Sequence, residues 1–158
     1  MKGGTLEIGT EAFPYTSQLI ITMHGEKYSP GVPIFGNKAI GVYGGTVDIH
    51  GVPRSPTWTE LLITANINDT TITLKTAVDW KAGEQVVIAP SSYNNKETEV
   101  RTIIQVDNTK PNQPVITLDS ALEFLHFAGI DQYGLTDFIE MRSEVGLLTR
   151  NIIFRGDP

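Results

Sequence analysis

The heptapeptide GGTLEIG (Gly3 to Gly9) returns as GGTVDIH (Gly44 to His50), in the same order of two glycines, threonine, an apolar residue, an acid and isoleucine. The offset is 41 residues. In both copies the apolar side chains alternate, Leu6 with Ile8 and Val47 with Ile49, which is the period of a strand with one buried face. After each copy comes a loop containing proline and an aromatic residue, first Ala12 to Tyr15 and then Val52 to Trp58, followed by a β-branched strand. A looser relative, Ser143 to Gly156, sets two apolar strands about a polar break at Thr149-Arg150-Asn151. Stacked strand-and-turn units predict an all-β chain with little helix, a right-handed parallel β-helix-like solenoid in which each rung bonds the next. In that arrangement Val145, Leu147, Ile152 and Phe154 form the inward face of a final rung. An antiparallel β-sandwich is the alternative.

Threonine, isoleucine and valine supply 46 of the 158 residues, beside 15 glycines and 9 prolines, a mixture suited to short strands and tight turns. The length is that of a single domain, residues 1–158, with no internal boundary or low-complexity segment. Strands are predicted at Leu61 to Ala65, Thr71 to Leu74, Gln85 to Ala89, Val100 to Val106 and Val115 to Leu118. Turn residues at Asn68-Asp69 and Lys81-Ala82-Gly83 separate them, as does the polar loop from Asn108 to Asn112. Asp119 to Phe127 is the segment that starts like a capped helix.

A formal charge of −6 removes the basic footprint of a nucleic-acid binder. No stretch approaches the ~20 apolar residues that cross a bilayer, so direct membrane insertion by this chain is not expected, and MKGGTLEIG lacks the apolar centre of a secretory leader. With no cysteine, disulfides, thiolate metal sites and cysteine nucleophiles are absent together. Asn68-Asp69-Thr70 is an N-glycosylation acceptor if the chain is secreted.

The chemistry-bearing residues are sparse. His24, His50 and His126 stand at wide spacings without a His-x-x-x-His pattern, which fits structural corners and no metal site. Asp131, Asp137, Glu140 and Glu144 cluster in sequence, and Asp137 with Glu140 is the candidate acid pair for glycoside hydrolysis. Glu144, beside Arg142, is expected to pair with that arginine or with a backbone donor. Ser91 and Ser92 lie in a hydrophilic loop after Pro90 with no base placed by a motif. Arg155-Gly156-Asp157 is the tripeptide read by integrins in exposed loops, and here it follows an apolar strand as a turn. No cofactor is implied.

The segments DWKAGEQVVIA (Asp79 to Ala89) and MRSEVGLLTRN (Met141 to Asn151), with GTLEIGTEAFPY, ITMHG and VDIHGVP, resemble the eight-glycine ("G-eight") domain family over nearly the whole chain. Gly4, Gly9, Gly25, Gly45, Gly51, Gly83 and Gly146 match its pattern, at positions expected to be structural turns. The resemblance implies an extracellular module in the ectodomain of a large membrane-anchored, receptor-like protein. Its expected partners are adjacent β-helix domains of the same parent chain, and beyond them a glycan or an extracellular protein. Other members of the family are hyaluronan-binding or hyaluronan-degrading proteins of the cell surface. The leading expectation is therefore a non-catalytic module, and the alternative is part of a hyaluronan-degrading glycosidase.

Overall fold

The computed structural model describes residues 3–26, 28–110 and 112–157. They fall into two compact units, one made of the chain up to Pro53 together with the chain from Arg150, the other of Arg54–Thr149.

The first unit holds β1 (Thr5–Ile8), β2 (Leu19–Met23), β3 (Thr46–Ile49) and the last strand of the chain, β12 (Ile152–Gly156). The two copies of the repeated heptapeptide pair with each other. β1 and β3 run parallel with Thr5 opposite Thr46 and Ile8 opposite Ile49, so the ladder preserves the sequence offset. β12 pairs parallel with β2, Ile152 opposite Leu19 and Gly156 opposite Met23. Asn151 ties the loops together, donating from Nδ2 to the carbonyls of Tyr15 at 2.7 Å and Ser17 at 3.0 Å and accepting from Val52 N at 2.9 Å. Gly9 is fixed by two demands at once: its φ is +70°, and a Cβ there would lie 2.5 Å from Tyr15 N and 2.6 Å from the His50 carbonyl. None of the described residues of this unit is buried.

The second unit contains the hydrophobic core. Its strands are β4 (Trp58–Glu60), β5 (Thr71–Thr73), β6 (Gln85–Ile88), β7 (Glu99–Asp107), β8 (Val115–Leu118), β9 (Ala128–Tyr133), β10 (Asp137–Arg142) and β11 (Glu144–Leu147). Six form one sheet in the order β4-β11-β6-β7-β8-β5, and every pairing in it is antiparallel. The sheet curls until its two edges meet at an antiparallel bridge between Leu61 and Leu74, reinforced by Leu62 N to Thr73 O at 2.8 Å and Lys75 N to Glu60 O at 2.9 Å. Leu61, Leu74, Val86, Ile88, Ile103, Ile116 and Val145 fill the interior without exposure. Arg54 is clamped by Glu84 and Asp79, and Trp80 Nε1 donates to Pro56 O at 2.8 Å, so the family-like segment from Asp79 grips the start of the unit. β9 and β10 form a separate hairpin closed by Gly134-Leu135-Thr136.

The all-β expectation with little helix matches this architecture, in which a single 3-10 turn at Asn95–Glu97 is the helical element among the described residues. The β-helix solenoid does not. Alternating apolar residues look the same in parallel and antiparallel strands, and the connections decide between them. The links β6 to β7, β7 to β8 and β9 to β10 are too short for the crossover of a dozen or more residues that parallel neighbours need, so they reverse the chain. Val145 and Leu147 accordingly pack in the antiparallel sheet, whereas Ile152 and Phe154 belong to β12, with Phe154 37% exposed; the four do not share a rung. Leu61 to Ala65 is likewise not a strand but a stretch between bridges, Leu61 to Leu74 and Ala65 to His126. Asp119 to Phe127 is irregular chain.

Gly83 turns the chain into β6 with φ at +86°, while its N–H donates to Ile103 O at 2.8 Å. A Cβ at this position would meet nothing within 4 Å, so a substitution is penalised by the backbone alone. Gly83→Val is expected to lose about 1–3 kcal/mol. Thermal melting checks this, and an unchanged midpoint would show that the left-handed conformation is not required.

Candidate functional site

The carboxylates singled out from sequence do not converge. Asp137 starts β10 opposite Tyr133, and Glu140 three residues later projects from the other face of the hairpin, because successive side chains of a strand alternate. Glu140 Oε1 accepts from Arg142 Nε at 2.6 Å and from Lys75 Nζ at 3.0 Å. The Arg142 hydrogen bond, and after it that of Lys75, holds the Glu140 carboxyl below its usual range, the opposite of what a general acid needs. Lys75 also reaches Glu60 at 2.8 Å and so links two carboxylates across the closing seam. Glu144 stands opposite Glu60; the neighbouring Arg142 turns to Glu140 and to the carbonyls of Leu61 and Leu62. Asp131 lies opposite Ile139.

Each histidine has its own carboxylate. His24 Nδ1 is 3.2 Å from Asp157 Oδ2, His50 Nε2 is 2.6 Å from Asp48 Oδ1, and His126 Nε2 is 3.0 Å from Glu99 Oε1. Among the described residues no group of three His, Asp or Glu side chains is placed to hold a metal ion. Both serine hydroxyls brace their loop: Ser91 Oγ donates to Leu125 O at 3.1 Å and accepts from Phe127 N at 3.0 Å, and Ser92 Oγ donates to Glu97 Oε2 at 2.6 Å. Arg155 and Gly156 lie inside β12, where Arg155 Nε donates to Thr22 Oγ1 at 3.2 Å, and Asp157 is ion-paired with Lys38 and His24. The tripeptide is therefore built into a ladder and its acid is engaged. Asn68 occupies an exposed turn with φ at +72°, its N–H donating to Leu122 O at 2.8 Å and its side chain open to solvent.

Of the glycines, Gly4, Gly9, Gly25 and Gly83 have positive φ. Gly45 and Gly51 are close-approach positions, a Cβ on the first falling 2.8 Å from Gly4 O and on the second 2.6 Å from Asn151 Oδ1. Gly146 lies within β11, where a Cβ would make ordinary contact with Val87 at 3.4 Å.

The densest buried polar group is centred on Glu99, which sequence reading did not single out. Glu99 is 3% exposed and accepts from the backbone N–H groups of Glu123 at 3.0 Å and Phe124 at 2.9 Å, from His126 Nε2, and from Arg101 Nη2. His126 has no exposure, and its Nδ1 faces the Ala89 carbonyl at 2.8 Å. Arg101 also donates to Ala121 O at 3.1 Å. Burial pushes the Glu99 carboxyl up, but the Glu123 N–H, His126, the Phe124 N–H and Arg101 together bring it below the usual glutamate range. All its lone-pair directions point at protein donors, so this group anchors the loop 121–126 to β7 and offers no open position for a substrate.

Comparison with known proteins places these features in context. Residues 1–62 match the family model of the G8 domain. Over 156 residues, 98% of the chain, it is 42% identical to fibrocystin-L of Mus musculus and 40% identical to fibrocystin-L of Homo sapiens. It is also 33% identical over 160 residues to a G8 domain-containing protein of Dictyostelium discoideum. The chain spans 4% of the length of either fibrocystin-L and 10% of the Dictyostelium protein.

Proposed function

We propose that this chain, whose residues 1–62 belong to the G8 domain family, is a non-catalytic module in the ectodomain of a large cell-surface protein, where it joins neighbouring domains and presents a binding surface to a glycan or an extracellular protein. One observation carries the reading. The first unit consists of two parallel strand pairs with no buried described residue, yet parallel ladders are ordinarily covered on both faces. Such pairs, with Phe13, Ile34 and Tyr43 exposed beside them, suit a segment flanked by further domains of the same parent chain. The small share of fibrocystin-L that the chain matches supports the same context. Against the glycosidase alternative stand the opposed faces of Asp137 and Glu140 and the engagement of Glu140 by two cations.

The test is secretion of the chain from cultured animal cells behind a heterologous leader, followed by incubation of the product with hyaluronan. The expected product carries an N-glycan at Asn68 that Thr70→Ala removes, and leaves the polymer size unchanged. Thr70 is the better position to alter because Asn68 holds a left-handed backbone conformation that other residues resist. Sustained shortening of hyaluronan, lost in Glu140→Gln, would reverse the non-catalytic reading. Retention of the chain inside the cell as an aggregate would count against the extracellular one.

A further inference from the structure

We propose that the face of the β9–β10 hairpin carrying Phe127 and Asp131, opposite the one that turns Ala128 to the core, binds one neutral sugar ring, a proposal that rests on the reading of this chain as a binding module and gives that surface a location. Strand alternation sets the face. Ser143 N donates to Phe127 O at 2.8 Å, which extends the hairpin register by one pair, so Phe127 with Ser143, Gly129 with Met141 and Asp131 with Ile139 project to the same side. Gly129 leaves room for the neighbouring ring: a Cβ there would stand 3.1 Å from the Phe127 ring tip. Pro90 and Ser91 wall the other side, and the resulting cleft of about 300 Å³ is at the small end of ligand sites, the scale of a single ring.

Its lining specifies the chemistry. Phe127 is half-buried and Met141 exposed, giving an apolar platform for the C–H face of a pyranose. Asp131 is an exposed carboxylate without a protein hydrogen-bond partner among the described residues, and two carboxylate oxygens accept from two adjacent hydroxyls. Ser143 is 4% exposed, yet its Oγ has no hydrogen-bond partner, an exception to the rule that buried hydroxyls are satisfied. A ligand hydroxyl in the cleft would meet that need. Ser91 Oγ is spent holding Leu125 and Phe127, which positions the ring without competing for ligand. Arg142 borders the cleft but commits its guanidinium to Glu140 and to the carbonyls of Leu61 and Leu62. An anionic sugar therefore meets the Asp131 charge with no cation committed to it, and the site selects a neutral ring.

The experiment is a titration of the isotope-labelled 158-residue chain followed by amide NMR, with cellotriose, maltotriose and triacetylchitotriose as neutral probes and a hyaluronan tetrasaccharide as the anionic one. At least one neutral probe is expected to shift the amides of Phe127, Gly129, Asp131 and Ser143 at millimolar concentration. Asp131→Asn is expected to weaken that binding about tenfold and Ser143→Ala about threefold or more, each with its spectrum otherwise unchanged. Absence of shifts on this face with all three neutral probes overturns the proposal, as does equal or tighter binding of the tetrasaccharide, or indifference to Asp131→Asn. If the face stays silent while hyaluronan keeps its length, the sugar site alone fails and the non-catalytic module stands; if hyaluronan is shortened, the module reading fails on its own.

Discussion

Glu99→Ala is expected to destabilise the second unit by about 3–5 kcal/mol, because it removes one partner of a buried charge pair and leaves the others in place. His126 and Arg101 lose their carboxylate, and the N–H groups of Glu123 and Phe124 lose their acceptor. For a chain of this length each kcal/mol is worth about 2–4 °C, so the melting midpoint should fall by about 6–20 °C. Glu99→Gln retains one acceptor oxygen and should fall between the variant and the parent. The sign of the pH effect follows from the depressed carboxyl. Its stabilising contribution is present above the ordinary glutamate value of 4.5 and is lost as the pH falls from there through the lower folded value. Acid unfolding of the parent should therefore steepen below 4.5, and Glu99→Ala should flatten that limb. A midpoint lowered by less than about 2 °C would mean that water reaches the vacated site and meets the orphaned donors.

Leu61→Ala should cost about 2–5 kcal/mol, the range for a fully buried leucine whose cavity collapses only in part. The position matters beyond its volume. Leu61 and Leu74 are both buried where the two edges of the six-stranded sheet meet, so the cavity opens at the closing seam. Denaturant titration reads the loss as a lower midpoint. Phe154→Ala is the natural comparison, because more than a third of that side chain is exposed and its removal should cost less than Leu61→Ala. The reverse order would place the main core of the chain around β12.

The strands with the plainest alternation were legible from sequence. Gln85 to Ala89 and Val115 to Leu118 coincide with β6 and β8 to within a residue, and the heptapeptide repeat anticipates the register of β1 on β3. What the repeat did not carry was the rest of the chain: a parallel pair of two copies was extended to strands whose short turns force them antiparallel. The β9–β10 hairpin escaped notice because both faces are largely exposed, which erases the alternation that marks a half-buried strand. Glu99 and His126 lie 27 residues apart in sequence, and nothing local to either residue points to the other. Asp119 to Phe127 starts like a capped helix in sequence, but the Asp119 carboxylate accepts from Thr102 N at 3.0 Å, and the N–H groups of Glu123 and Phe124 are bound by Glu99 of β7.

The pairing of β2 with β12 also sets a timetable for biosynthesis. Leu19 and Ile152 are 133 positions apart (152 − 19), and the whole of Arg54–Thr149 is inserted between these partners. As the chain leaves the ribosome, the inserted unit has all its strands before β12 emerges, whereas β2 waits for a mate that follows the whole of that unit. During that interval the unpaired edge of Leu19–Met23, with Ile20 and Ile21 on it, is available to any other extended strand nearby. Folding of the inserted unit during elongation brings Arg54 and Thr149 into one compact body, which shortens the loop that β2 and β12 must close from the full separation to the flanking segments alone.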